Sequence, residues 1–175
     1  MSETDFGKRA FPVADSINLL IRILNEAFDR KSWHGTNLRG SIRGLNVQQV
    51  SWRPQPERHN IWEHVLHCAY WKYTVRRRLT GEKRGSFALK GSNWFERPST
   101  IDRDEASWKE AVDLLIENHR QLLDSIRELS PDQLNKPAAG GETSILTLVT
   151  GVAAHDTYHA GQIQLLKKLM GAKKS

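Results

Sequence analysis

Apolar residues recur at three- and four-residue steps in four separate stretches of this chain, and that spacing constrains its fold more than any other feature. The first stretch runs from Val13 to about Arg30 and carries Ile17, Leu20, Ile21, Leu24, Ala27 and Phe28, with Asp15 or Ser16 placed to cap its start. The second runs from Asn60 to about Leu79. Its stripe is Ile61, Val65, Cys68, Val75 and Leu79, bordered by His64, His67 and Trp71, and Gly81 ends it. The third, from about Asp104 to Leu129, repeats the spacing with Trp108, Val112, Leu115, Leu122, Ile126 and Leu129 before the stop signal Ser130-Pro131. The fourth opens at Thr143 or Ser144, reaches about Leu169 and closes at Gly171, with Ile145, Leu148, Val152, His155, His159, Ile163 and Leu166 on one face. No stretch alternates apolar and polar residues long enough for a strand. Four one-sided helices bury their stripes best in one shared core, so the sequence predicts an all-α four-helix bundle, one domain over residues 1–175.

The connections are uneven. Those between the first and second and between the second and third stretches are longer than a plain bundle needs. The first is expected to hold a short helical turn before Trp52-Arg53-Pro54. The second contains GSFALKGSNWFERPST, rich in glycine and aromatics, and is expected to roof a pocket or cover a bundle end. Cys68 is the only cysteine, which excludes an intrachain disulfide and a zinc site built on paired cysteines. No apolar run is long enough to span a bilayer, and the opening MSETDFGKRAFPVAD lacks the apolar segment of a secretory signal, so the chain reads as cytoplasmic. The net charge of +6 sits in VRRRLTGEKR and KKLMGAKKS and is elsewhere interleaved with acids, which describes a solvated face. With no recognition motif or basic helix face, nucleic acid is not expected as a partner.

His155 and His159 stand where the fourth stripe calls for leucine. Four residues apart on a helix, they point the same way from adjacent turns, toward the bundle interior. Two buried imidazoles need partners for their ring nitrogens, and a divalent cation satisfies one nitrogen of each at once. The alternative is that each ring bonds a neighbouring backbone group or carboxylate, and a third ligand from elsewhere would favour the metal. His59 reads as solvent-exposed at the polar start of the second helix, and His34 lies at the end of the first, where it can meet the helix dipole. His119 lies within the third stripe, and His64 and His67 border the second. Pattern alone favours His67 or His119 and does not separate them.

The stretch HNIWEHVLHCAYWKYTVRRRLTG, followed by HDTYHAGQIQLLKK, resembles the DinB/YfiT-like superfamily, and LNVQQVSWRP resembles that family's linker into the second helix. In the family's second-helix motif, of the form siwElvlHlayw, the ligand histidine stands at the position of His67. The closing H-D-x-x-H-x-G-Q-I motif matches His155 and His159. The resemblance implies a four-helix bundle in a variant of up-and-down topology, a homodimer, and a divalent metal held by His67, His155 and His159 at one end of the bundle.

Three neutral imidazoles leave the dipositive charge of an ion intact and at least one coordination position open. Zinc or nickel suits such a set first, with iron, cobalt and manganese next. The open position takes water, giving a hydrolase, or a low-molecular-weight thiol. The second matches the relatives that resemble bacillithiol or mycothiol transferases. The resemblance therefore implies a thiol-dependent S-transferase acting on a small molecule, with a metal-dependent hydrolase or a non-catalytic metal-binding stress-response protein as alternatives. Asp156 is expected to bond a neighbouring helix or to orient a ligand. Gln162 is placed to reach the pocket or to pack, and Gly161 to let helices approach closely. Trp33, His34, Trp71, Trp94 and Phe95 are candidates for a pocket mouth, and Arg76, Arg77 and Arg78 for a solvated face.

Overall fold

The computed structural model describes residues 13–97 and 104–172. Residues 1–12, on which the expectation about a secretory signal rests, and the Asp15 side chain lie outside what it describes. The element order is α1 (Val13–Phe28), α2 (Leu38–Ile42), α3 (Val47–Ser51), α4 (Ile61–Thr80), α5 (Glu105–Arg127) and α6 (Ile145–Ala172), with a 3-10 turn at Pro131–Gln133. The described residues contain no strand, only one isolated bridge between Pro137 and Ser144. The all-α reading holds, and none of these helices is long and apolar enough to cross a membrane.

Local chemistry sets the helix starts. Asn60 caps α4 and closes a capping box with Glu63, and Gly81 ends the helix in the left-handed region at φ 75°. Asp104 accepts from the Ser107 N–H at the start of α5, and Ser144 accepts from the Thr147 N–H at the start of α6. Gly171 does not close α6, which runs on to Ala172. The helical turn expected before Trp52 is α3, with α2 as a second one.

Cross-helix pairs give the directions. His64 meets His159 while Lys72 meets Asp156, so α4 and α6 are antiparallel. Trp62 packs edge-to-face on Trp108, and Val75 shares a cluster with Leu122 and Ile126, so α4 and α5 are parallel. His119 of α5 stacks on Phe28 at the end of α1, whereas Leu20 clusters with Ile126, so these two are antiparallel. The four long helices run up, down, down, up, and each packs on two others, α1 on α6 and α5, α4 on α5 and α6.

This arrangement explains the long connections. The chain leaving α4 must travel back the length of the bundle before starting parallel α5, and a 20-residue helix is about 30 Å long. The return segment packs Phe87 and Phe95 against Tyr70 of α4 at ring separations of 5.3 and 5.6 Å. The chain leaving α1 crosses one bundle end through α2 and α3, and Lys167 near the end of α6 donates to the Ser41 carbonyl there.

The interior is divided. Phe28, Leu38, Ile61, Trp62, Leu66, Leu115 and Ile163 fill one end, and Leu24, Val75, Leu122, Ile126, Val149 and Val152 fill the other. Between them lie Lys72 and Asp156, both fully buried and joined as an ion pair, with the Lys72 ammonium 4.9 Å from the centre of the Phe28 ring. Gly161 points outward, with nothing near the position a Cβ would take, so the close helix approach expected of it is absent among the described residues.

Candidate metal centre

The antiparallel contact of α4 and α6 brings His67 opposite His155 and His159. The Nε2 atoms of His67 and His155 are 3.0 Å apart, and those of His155 and His159 are 3.1 Å apart. Three nitrogens each about 2.0–2.1 Å from one ion also stand about 3 Å apart, so the set is spaced to hold a cation. His67 and His159 are buried and His155 is half-buried.

The outer edges of the rings establish which nitrogens are bare. His67 Nδ1 lies 2.9 Å from the Asn93 carbonyl oxygen, which can only accept, so the hydrogen of a neutral His67 is on Nδ1 and its Nε2 carries a lone pair. His159 Nδ1 lies 3.0 Å from Gln162 Oε1, which fixes the same tautomer. Both bare nitrogens therefore face His155 Nε2. His155 has at most one hydrogen to offer there, and offering it strips its Nδ1, which is buried without a partner. A cation relieves the conflict at the Nε2 atoms, because all three then ligate through Nε2, with His67 and His159 donating through Nδ1 and His155 carrying its hydrogen on an Nδ1 that has no acceptor.

Burial keeps the rings neutral and ready to ligate. It pushes His155 down to about 3 and His159 down to about 4, and the neighbouring imidazoles add to the effect in both. His67 is lowered for the same reason, with its hydrogen bond to Asn93 opposing. Cys68, His155 and Asp156 also approach one another closely, but the Cys68 thiol is held protonated by burial and Asp156 is bound to Lys72.

Two segments hold this end of α4. Glu63, one turn before His67, takes both guanidinium nitrogens of Arg53, the Nδ1–H of His59 at 3.0 Å and the backbone N–H of Arg97 at 3.1 Å. The Arg53 guanidinium pulls the Glu63 carboxyl below its ordinary range despite burial. The second segment is the return loop. Asn93 sits in the left-handed region at φ 65°, which asparagine tolerates, and this turns its carbonyl toward His67. Its side chain accepts from Trp71 Nε1 at 3.0 Å. Trp94 then slides between two imidazoles, stacked on His59 at 3.6 Å and on His67 at 3.8 Å.

The histidines form part of the wall of a cavity of about 1100 Å³, also lined by Trp52, Arg58, Trp71, Trp94, Tyr158 and Gln162. The loop expected to roof a pocket does so through Asn93 and Trp94. Trp71 and Trp94 line the cavity as expected. Phe95 is buried in the core instead, and Trp33 and His34 are exposed and are not among the lining residues. Large aromatics mark both sites equally, so composition did not tell them apart.

The structure separates His67 from His119. His119 stacks on Phe28 at 3.7 Å, places Nε2 3.4 Å from Asn25 Oδ1, and is pushed down to about 2 by burial and by Lys72. His59 is exposed as expected, although stacked on Trp94. Asp156 bonds Lys72 of α4, Gln162 reaches the cavity, and Arg76 and Arg78 bond Glu82 and the Ala139 carbonyl away from it. Sequence reasoning missed Asn93, whose decisive atom is a backbone oxygen, and the role of Glu63. The capping signature in NIWE was a usable signal for the latter.

A family model described as the DinB superfamily matches residues 31–163, a span that contains all three converging histidines. No curated protein and no solved structure matches the chain.

Proposed function

The chain belongs to the DinB superfamily, and on that premise we propose that it is a metal-dependent enzyme in which His67, His155 and His159 hold one divalent transition metal and a small thiol is activated for transfer to an electrophile. The observation that carries this reading is the convergence of three imidazole nitrogens, two fixed as bare by their outer hydrogen bonds, on the wall of a large cavity. Zinc or nickel is the expected ion, since neutral imidazole suits both. Bound there with no anionic ligand, the ion would supply a Lewis-acidic position that lowers the pKa of a thiol or a water presented to it.

The remaining chemistry belongs to the chain. Asn93 and Gln162 hold two of the ligand rings in the ligating tautomer. Trp52, Trp71, Trp94 and Tyr158 supply an apolar wall against which an apolar part of the electrophile can pack. Among the described residues no aspartate or glutamate lines the cavity, so none of them is placed to take a proton from water through a carboxylate, and this favours the thiol over hydrolysis.

The test uses untagged protein reconstituted with cobalt. A small thiol is expected to change the visible spectrum by adding a sulfur-to-metal charge-transfer band, and to be consumed when an alkyl halide is added. A spectrum that thiols leave unchanged, or release of product with no thiol consumed, overturns the transferase reading in favour of hydrolysis or a purely structural metal.

A further inference from the structure

His64, like the exposed His59, lies at this end of the bundle without being one of the three histidines whose Nε2 atoms converge. It is 6% exposed, lines the cavity, and places its Nδ1 3.0 Å from His159 Nδ1. The inference drawn from it rests on the metal reading above. With His159 Nε2 turned to the ion, the hydrogen of His159 is on Nδ1, where it faces both Gln162 Oε1 and His64 Nδ1. Two Nδ1 atoms so close with one hydrogen between them leave His64 Nδ1 as the lone-pair side. A neutral imidazole bare at Nδ1 carries its hydrogen on Nε2. Among the described residues that Nε2 has no hydrogen-bond partner, yet it is not one of the enclosed polar atoms, so its open side is the cavity.

We propose that His64 Nε2–H is a fixed donor that orients the substrate, and that the substrate pairs an apolar, ring-bearing body with a carbonyl or carboxylate oxygen placed beside the three histidines. The walls match both halves. Trp52, Trp71, Trp94, Tyr158, Leu165 and Leu169 receive the apolar body. Among the described residues of the lining, Arg58 is the only charged side chain apart from the histidines, and no carboxylate is present to repel a partly negative oxygen. A substrate without the oxygen would leave the N–H unpaired in an apolar site, which selects against it.

Benzoate is the probe, titrated into the cobalt-loaded full chain and followed by visible absorption. His64→Asn keeps an amide where Nδ1 stood and has nothing at Nε2, whereas His64→Gln reaches the place of Nε2. His64→Asn is expected to bind cobalt within about threefold of the native chain and benzoate about tenfold more weakly. His64→Gln is expected to keep benzoate affinity within about threefold. Acetate, which lacks the ring, is expected to bind the native chain at least about tenfold more weakly than benzoate. Unchanged benzoate affinity in His64→Asn overturns the proposal, and so does an equal loss of cobalt, which would make His64 a prop of the metal site. Should His64→Asn not fold, the zinc-loaded native chain decides: benzoate is expected to shift the His64 Nε2–H proton resonance downfield, and an unmoved resonance overturns the assignment. A native chain that takes up no cobalt or zinc removes the metal reading and this proposal with it, whereas metal uptake with either negative benzoate result removes this proposal alone.

Discussion

His155 and Asp156 are neighbours on α6, yet they belong to two buried polar layers of opposite character, both built between α4 and α6. In the inner layer the Asp156 carboxylate meets the Lys72 ammonium, so the charge is neutralised within the chain. His119 nearby is stacked and bonded to Asn25. The atoms left over there are lone pairs, on Asp156 Oδ1 and His119 Nδ1. In the outer layer, the bare Nε2 atoms of His67 and His159 both face His155 Nε2 beside an open cavity, and the one hydrogen that His155 can offer there does not satisfy both. Burial alone does not distinguish a structural polar layer from a functional one. The distinction lies in whether the groups complete one another or converge on something absent from the chain.

The largest test of this contrast removes one group from each layer. Lys72→Ala leaves Asp156 buried without its counter-charge, and is expected to cost about 3–5 kcal/mol of stability in the metal-free chain, read by urea unfolding. Replacing both partners, Lys72→Met with Asp156→Leu, is expected to recover most of that. His155→Ala is expected to shift metal-free stability by less than about 1 kcal/mol, since it removes a lone pair from a crowded cluster. It should weaken metal binding by at least about a hundredfold, measured by competition with a chelating dye. Equal stability losses in Lys72→Ala and His155→Ala would erase the distinction between the layers.

A smaller effect lies in the pH dependence of stability. His119 is pushed down to about 2 in the folded chain, below the ordinary value near 6.5 that it regains on unfolding. A group depressed by folding contributes its full stability above the unfolded value and loses it as the pH falls below that value, because only the unfolded chain takes up the proton. Each such histidine therefore removes up to about 1.4 kcal/mol per pH unit below about 6.5. In the metal-free chain His64, His155 and His159 act in the same sense, with folded values of about 3, 3 and 4. His119→Phe, whose ring keeps the stack on Phe28, is expected to reduce the loss between pH 6.5 and 5 by about 2 kcal/mol. An unaltered slope would mean that His119 is protonated in the folded state.

How much of this was legible in the sequence follows from what each feature depends on. Stripes at three and four residues reveal helices because that period is local, and they gave α1, α4, α5 and α6 close to their observed ends. The same stripes carry no direction, so the parallel pairing of α4 with α5 was hidden, and the loop that it forces to return over the site showed only as unusual length and a composition rich in glycine and aromatics. His155 and His159 were readable because both lie on one helix. His67 could not be separated from His119 by pattern, since the choice depends on the register of α4 against α6, which only the packed structure supplies. Lys72 went unnoticed because a lysine among apolar residues reads as an interruption of the stripe until Asp156 is seen opposite it.

The smallest expected effect concerns the segment least visible in the sequence, and it separates backbone from side chain. Asn93 serves the outer layer in two ways, its carbonyl fixing the tautomer of His67 and its side chain holding Trp71. Only the first touches one of the three converging rings. Asn93→Gly retains the carbonyl and adopts the left-handed conformation at φ 65° freely, so metal affinity is expected to stay within about threefold of native. Asn93→Ala pays about 1 kcal/mol or more to hold that conformation. The carbonyl is then drawn away from His67, and metal affinity is expected to fall about tenfold, as it does when a group orienting a ligand histidine is lost. The opposite ranking, with Ala harmless and Gly costly, would show that chain stiffness rather than carbonyl direction holds the ring. Equal and large losses would place the burden on the bond to Trp71. In the inner layer no substitution that spares side chains should have such an effect, because Lys72 and Asp156 hold each other directly.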